Sequence, residues 1–327
     1  MDADLYVSPD GDDSYSGLIP QFPLKTIAHA ITISVSDQDD PNVIHLLPGY
    51  YSRSANDQLF PLNMRECVSL QGTSRDEVFL DREGRSGYIN DFYSGYNYSI
   101  NNITFTGGET LSNHDDEIVL KDYTGESDGT VRMDSLRFTD SQAEFSIFST
   151  TVEFELSNII VEDTQSCLLK YSAFPGEHSM IRNTIYRNAP TLDFWFMCNV
   201  PTYNPPILDL VNYLSCNNNP QEESRIPGYG PCIDYYAHAN FVNCTFMNNS
   251  DDEFYTSYIN GWFGSTGIIE KNQNEMPENK RVFAYTKNHE SWNCSFCLVS
   301  TDGEEHHVQQ ILIKDYKCSI GNVIYEG

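Results

Sequence analysis

A short phrase, polar-x-x-apolar, recurs eight times along these 327 residues and predicts an all-β fold, a single-stranded right-handed parallel β-helix solenoid. Two further observations agree. Strand-forming residues abound while helical periodicity is nearly absent, and turn residues flank each short alternating segment.

The phrase reads Asn102-Ile103-Thr104-Phe105, Ser135-Leu136-Arg137-Phe138, Asn158-Ile159-Ile160-Val161 and Asn183-Thr184-Ile185-Tyr186. It continues as Asn212-Tyr213-Leu214-Ser215, Asn243-Cys244-Thr245-Phe246, Asn293-Cys294-Ser295-Phe296 and Asp315-Tyr316-Lys317-Cys318. The steps between anchors are 33, 23, 25, 29, 31, 50 and 22 residues. The shortest steps fit one coil of a β-helix, and the longer ones fit coils with loops at the corners. A second polar residue follows five of the anchors by five positions, at Asp140, Asp163, Asn188, Asn217 and Asn248. Asn and Asp suit such bends because they tolerate left-handed geometry and bond nearby backbone.

Stacking coils at the strand spacing of about 4.8 Å places the anchors in a ladder, each side chain able to bond the next. Ile103, Leu136, Ile159, Cys244 and Cys294 then form an inward stack, with Cys244 and Cys294 as core thiols at equivalent positions or, alternatively, as a disulfide. A leucine-rich horseshoe would need leucines at fixed offsets, which are missing, and a sandwich would show hairpin turns every 8–12 residues or so in place of the repeated phrase.

Composition bounds the function. Nineteen basic against 47 acidic residues give a net charge of −28, which repels phosphate backbones and argues against nucleic-acid binding. The same acidity suits solubility outside the cell and supplies oxygen ligands for Ca²⁺ as a possible cofactor. No run of 18 apolar residues exists, so a membrane span is not expected. Nine cysteines leave at least one thiol over from any disulfide framework, and Cys294 and Cys297 form a lone CxxC with little metal specificity. Met1 to Asp4 run straight into the strand-like Leu5-Tyr6-Val7, which reads as a start just after a removed leader and hence an extracellular or cell-surface protein. The coil-like Ile320–Tyr325 strand before Gly327 reads as a piece of a longer, monomeric chain.

One domain is expected, with a strand and cap helix in residues 1–40 and coils over 41–327, carrying insertions at about 199–230 and 251–290. Residues 25–35 hold the one helical spacing, with Ile27, Ala30 and Ile31 on one side to plug an open solenoid end. The series Leu5-Tyr6-Val7-Ser8-Pro9-Asp10-Gly11, Ser16-Gly17, Pro23-Leu24-Lys25-Thr26-Ile27-Ala28-His29-Ala30-Ile31 and Ile44-His45-Leu46-Leu47-Pro48-Gly49-Tyr50-Tyr51 resembles the N-terminal cap and first coil of the pectate-lyase-like, right-handed β-helix superfamily. The resemblance implies a strand and glycine turn, a plugging helix, and a strand ending in Pro-Gly-x-Tyr. It stops short of an enzyme subfamily: the Gly-His-Gly and Arg-Ile-Lys elements of polygalacturonase-like hydrolases are absent, and Asp115-Asp116 and Asp251-Asp252 fall in apparent loops. Asp10, Asp12 and Asp13 are candidate Ca²⁺ ligands, but without the later glutamate of an EF-hand a structural turn is the simpler reading.

Any site is expected on an outward strand face. A second strand follows the anchors by about eight residues, and its outward set is Lys170, Asp193, Trp195, Asp234, Tyr236 and His238. Flat rings such as Trp195 and Tyr236 stack on sugar faces, while carboxylates and a cation hold hydroxyls or a uronate. Asp193 and Asp234 also suit the carboxylate pair of a glycosidase, and Lys170 or His238 the base of β-elimination. The bland alternative is an ordinary solvated face. Tyr258 and Trp262, with Tyr255 and Phe263, crowd the second insertion and are candidate groove-wall contacts. His306-His307 lacks ligand spacing, and the sequons at Asn97, Asn102, Asn243, Asn248 and Asn293 arise mostly from the anchor phrase. Three readings follow: a polysaccharide-binding β-helix without catalysis, a lyase or hydrolase acting on a uronate-containing polymer, and a structural stalk or adhesin segment.

Overall fold

The computed structural model describes residues 1–85, 87–91, 97–108, 118–121, 129–142, 145–150, 152–189, 194–198 and 206–216. Beyond these it describes the backbone of strands at 232–235, 238–247, 262–271, 294–300, 305–308, 311–314 and 317–320. The chain divides into two units, Met1–Ser166 and Cys167–Gly327.

The first unit opens with β1 (Leu5–Val7) and helix α1 (Ile27–Ile33). Coils follow, three strands to each. They are β2 (Asn42–Leu46), β3 (Gly49–Tyr51), a short helix α2 (Arg53–Asn56) and β4 (Leu62–Asn63); β5 (Val68–Gly72), β6 (Val78–Asp81) and β7 (Ile89–Asp91); and β8 (Tyr98–Asn101), β9 (Thr104–Thr106) and β10 (Ile118–Lys121). Next come β11 (Thr130–Asp134), β12 (Arg137–Phe138) and β13 (Phe145–Thr150), then β14 (Glu153–Ser157) and β15 (Ile160–Glu162). Each strand pairs in parallel with its equivalent one coil on, so three ladders form. Ile44, Leu70, Ile100, Met133 and Leu156 mark one row of the first ladder. Leu80, Phe105 and Phe138 mark the second, and Ile89, Ile118 and Ile147 the third. All of these side chains are fully buried. That is a parallel β-helix, the predicted architecture.

The anchors do what their chemistry suggested. Asn102, Ser135 and Asn158 sit at φ of 58°, 55° and 56°, and the second corner residues Asp140 and Asp163 at 49° and 50°. These are left-handed values that short polar residues tolerate better than apolar ones. Gly72 is aligned with Asn102 one coil before it, where a β-carbon would stand 2.2 Å from the Asn102 carbonyl oxygen; only glycine fits. The residues after the anchors, Ile103, Leu136 and Ile159, are fully buried, and Phe105 stacks on Phe138 at 5.0 Å. The expected ladder of anchor side chains is mixed, since Asn158 Nδ2 donates to Asp134 Oδ1 at 2.7 Å rather than to Ser135.

Corner segment 74–77 folds back over the second ladder. Thr104 Oγ1 donates to the Arg75 carbonyl at 2.6 Å, and Arg137 Nη1 meets Asp76 Oδ1 at 3.0 Å. Arg75 Nη1 reaches the Asn158 carbonyl at 2.8 Å.

Helix α1 packs against β1, β2 and β4 with Ile27, Ala30 and Ile31 buried. Its start is fixed by Thr26, whose side chain accepts from His29 N, and by Asp13, whose Oδ1 accepts from Lys25 N and Thr26 N. Tyr51, the tyrosine of Pro-Gly-x-Tyr, is buried and its hydroxyl donates to the Val7 and Leu47 carbonyls. Burial pushes its pKa far above the ordinary tyrosine value.

The second unit repeats the plan with β16 (Cys167–Ser172); β17 (His178–Arg182), β18 (Ile185–Arg187) and β19 (Phe194–Cys198); and β20 (Ile207–Val211), β21 (Leu214–Cys216) and β22 (Cys232–Tyr235). Anchors Asn183 and Asn212 take φ of 50° and 54°, and here Asn212 Nδ2 donates to Asn183 Oδ1 at 2.9 Å, a true rung of the anchor ladder. The ladder carries on through β23 (His238–Met247), β24 (Trp262–Lys271) and β25 (Cys294–Ser300).

Three expectations change here. The spans 199–230 and 251–290 are not wholly insertions, because β20, β21 and β24 are ladder strands inside them. Parallel coils do not run to residue 327: β26 (Glu305–Val308) pairs antiparallel with β25, and β27 (Ile311–Lys314) forms an antiparallel pair with β28 (Lys317–Ile320). A polar-x-x-apolar phrase serves a hairpin as well as a coil, so the Asp315 anchor did not distinguish them. Finally, the register aligns Cys244 with Gly267 and Gly267 with Phe296, which leaves Cys294 two positions out of step with Cys244.

Candidate functional site

The outward stripe foreseen for the second unit begins on the ladder of β16, β19 and β22. Around Lys170 on β16 and Trp195 on β19 burial alternates. Leu169, Tyr171, Phe194 and Phe196 are fully buried, while Lys170 and Trp195 between them are half-exposed. Tyr171 stacks on Phe196 at 5.3 Å from within, which fixes the height of the outward pair. The register sets Lys170 against Trp195, and the Lys170 ammonium lies 4.7 Å from the centroid of the indole ring. A cation over an indole face adds about 0.5–1 kcal/mol at an exposed site and stiffens both side chains.

The rest of the set disperses. On β22 the register aligns Asp234 with Met197, and Trp195 with Cys232, so Asp234 is offset by one pleat repeat from the Lys170–Trp195 row. His238 begins β23 and pairs with Ile207 of β20, on the ladder of β17 rather than that of β16. Trp262 opens β24 and aligns with His238. Asp193, Tyr236 and Tyr258 lie outside the described residues, as do Asp115, Asp116, Asp251 and Asp252.

Two aspartates of the N-terminal acidic turn, Asp12 and Asp13, bond the chain around them. Asp13 uses both oxygens on Lys25 N, Thr26 N and Thr26 Oγ1. Asp12 Oδ1 accepts from Ser14 N at 2.8 Å, which holds the Asp12 carboxyl below the ordinary range. Among the described residues no group of three or more His, Cys, Asp or Glu stands together as a metal-binding cluster.

One pair escaped the sequence reading. His178 on β17 and Asp209 on β20 meet across neighbouring strands, with Nε2 and Oδ2 2.7 Å apart and the imidazole donating. The available signal was their placement ahead of the anchors, five residues before Asn183 and three before Asn212.

Comparison with known proteins gives distant similarities without close kinship. A family model described as "Protein of unknown function (DUF1565)" matches residues 9–125. No curated protein sequence matches the chain significantly. Among solved structures, the chain is similar to a rhamnogalacturonan lyase at 11% identity, with 94% of this chain and 85% of that one covered and a TM-score of 0.46. It is similar to pectate lyase Pel9A at 12% identity, covering 91% and 76% with a TM-score of 0.49. A pectin methylesterase from carrot matches at 12% identity, covering 82% of each chain with a TM-score of 0.37. The fold itself is read from the register of the chain's own strands: three parallel ladders, coil on coil, make this a parallel β-helix protein.

Proposed function

We propose that this chain is an extracellular, monomeric β-helix protein that holds a neutral polysaccharide on the outward face carrying Lys170 and Trp195, with α1 closing the N-terminal end of the coils. The carrying observation is the Lys170 ammonium 4.7 Å over the Trp195 ring on a ladder whose inward neighbours are fully buried. An amphipathic ring held rigidly at a half-exposed surface suits a pyranose face, and three ammonium hydrogens suit sugar hydroxyls. The net charge of −28 favours a neutral chain over a polyuronate, which the surface field repels. Successive coils offer contacts every 4.8 Å or so, near the length of one sugar unit.

Affinity gel electrophoresis on xylan, mixed-linkage glucan and pectin tests this, with and without Ca²⁺ because the acidic surface also suits that cation. Retardation on a neutral glycan, weakened about tenfold by Trp195→Ala (~1.4 kcal/mol), is the expected result. Retention that Trp195→Ala and Lys170→Ala both leave unchanged overturns it. So does the appearance of unsaturated uronate or new reducing ends, which would make the protein a lyase or hydrolase.

A further inference from the structure

The stretch from Ser14 to Leu24 carries no charged side chain, on a chain with 47 acidic and 19 basic residues. Within it Tyr15, Leu18 and Ile19 are each 45% exposed and Phe22 is 52% exposed, with Pro20 and Gln21 exposed between them. Single apolar residues at a surface need no explanation, but a grouped set marks a face that meets something. The turn that displays this set is closed on itself. Gly17 N donates to the Phe22 carbonyl and Phe22 N to the Ile19 carbonyl, both at 3.1 Å, and Leu24 N donates to the Tyr6 carbonyl at 2.8 Å. Gly17 holds φ of 69°, where a β-carbon would stand 2.8 Å from Leu24 Cγ, so glycine sets the turn. Tyr15 braces Phe22 edge to face, with 5.7 Å between ring centroids. The flanking charges are engaged elsewhere: Asp12 on Ser14 N, Asp13 on Lys25 N and Thr26 N, and Lys25 Nζ on Asp57.

We propose that this tip is a peripheral docking surface for a zwitterionic lipid bilayer, with Leu18, Ile19 and Phe22 entering the headgroup boundary and Tyr15 at its wet edge. The surface belongs to the first unit and does not depend on the polysaccharide reading. Size decides against a protein partner. Half of four such side chains offers on the order of 350 Å², whereas each side of a stable protein complex covers roughly 800 Å². A bilayer needs no complementary shape, so a small apolar tip is enough to hold one. Charge decides against a second copy and against anionic lipid, because a chain of net charge −28 is repelled by both. Ring geometry decides against a flat glycan surface, since Tyr15 and Phe22 stand 87° apart and share no plane. The backbone tolerates the move out of water. Pro20 and Pro23 have no N–H, and those of Gly17, Phe22 and Leu24 are already bonded within the chain.

The test sediments the full chain with vesicles of phosphatidylcholine alone and of phosphatidylcholine mixed with phosphatidylglycerol. Partition onto phosphatidylcholine is expected, weakened at least tenfold by Leu18→Asp and by Phe22→Asp, with the far-ultraviolet circular dichroism unchanged. Phe174→Asp, at an exposed aromatic of the second unit, should leave it as it is. The anionic lipid should lower partition at low ionic strength, and added salt should restore it. Leu18→Ser and Ile19→Ser serve as second variants if the aspartate forms fold poorly. No sedimentation with either vesicle, or partition indifferent to every substitution in the tip, overturns the proposal. So does a concentration-dependent dimer in sedimentation velocity that Leu18→Asp dissolves, which assigns the tip to a second copy of this chain.

Discussion

Asn158 holds a backbone φ of 56° while its side-chain amide donates to Asp134, so alanine and glycine at this position should differ in a defined direction. Both substitutions remove the same hydrogen bond, which leaves the backbone term as their difference. Alanine in the left-handed region costs about 1–2 kcal/mol, and glycine costs almost nothing there. Glycine's extra freedom in the unfolded chain returns roughly 0.4–1 kcal/mol of that advantage. Asn158→Gly should therefore be the more stable variant by about 0.5–1 kcal/mol. Glu155 is the matched control: it is exposed in the middle of β14, and its contact with Arg132 at 3.4 Å disappears equally in Glu155→Ala and Glu155→Gly. With ordinary strand geometry the order there should invert, alanine leading by about 0.5–1 kcal/mol. The four urea midpoints, compared at constant slope, give the answer. If alanine equals or exceeds glycine at Asn158, the left-handed corner is not what selects a polar anchor, and the reading of the repeat fails.

Three other outcomes follow from the same structure. Phe138→Ala should destabilise the first unit by about 3–5 kcal/mol, because the ring is fully buried and stacked on Phe105; a loss under about 1 kcal/mol in urea unfolding would contradict that packing. Glu83 accepts hydrogen bonds from the Ser54 and Ser52 hydroxyls and from Ser54 N, which hold its pKa below the ordinary glutamate value, the Ser54 hydroxyl having the largest effect. A pKa lowered by folding gives stability that is present above the unfolded value and lost as pH falls through the folded one. The deficit of Glu83→Gln against wild type should accordingly shrink between pH 7 and about pH 3.5 in paired urea titrations, and a deficit unchanged with pH counts against these hydrogen bonds. Cys67 is 2% exposed and burial pushes its thiol up, so iodoacetamide should modify it slowly in the native protein and rapidly in urea, as read by mass spectrometry.

Much of the coil architecture was legible because one physical demand repeats. Each corner needs a residue that accepts positive φ, so Asn102, Ser135, Asn158, Asn183 and Asn212 mark corners directly, with buried residues following them. The N-terminal helix was legible from three apolar spacings, while the bonds Asp13 makes to the backbone at its start were not. The site was harder. Alternation separates inward from outward on any one strand, which gave Lys170 and Trp195 as outward residues. Which outward residues meet across coils depends on register, and register depends on loop lengths that vary from coil to coil. That is why Asp234 is displaced by one pleat repeat, why His238 belongs to another ladder, and why the contact between His178 and Asp209 went unseen.

Arg75 has a consequence for how the stack comes apart. In a solenoid each coil ordinarily meets only the coils above and below, so loss of order can creep inward from an end, one layer at a time. Arg75 leaves the corner after β5 and takes the carbonyl of Asn158 just beyond β14, spanning two intervening coils, while Asp76 grips Arg137 on the way. Layers joined by such a strap cannot peel singly. From β5 to β14 the first unit should behave less like a zipper than like a bound sheaf, holding until the strap releases and then losing several layers at once.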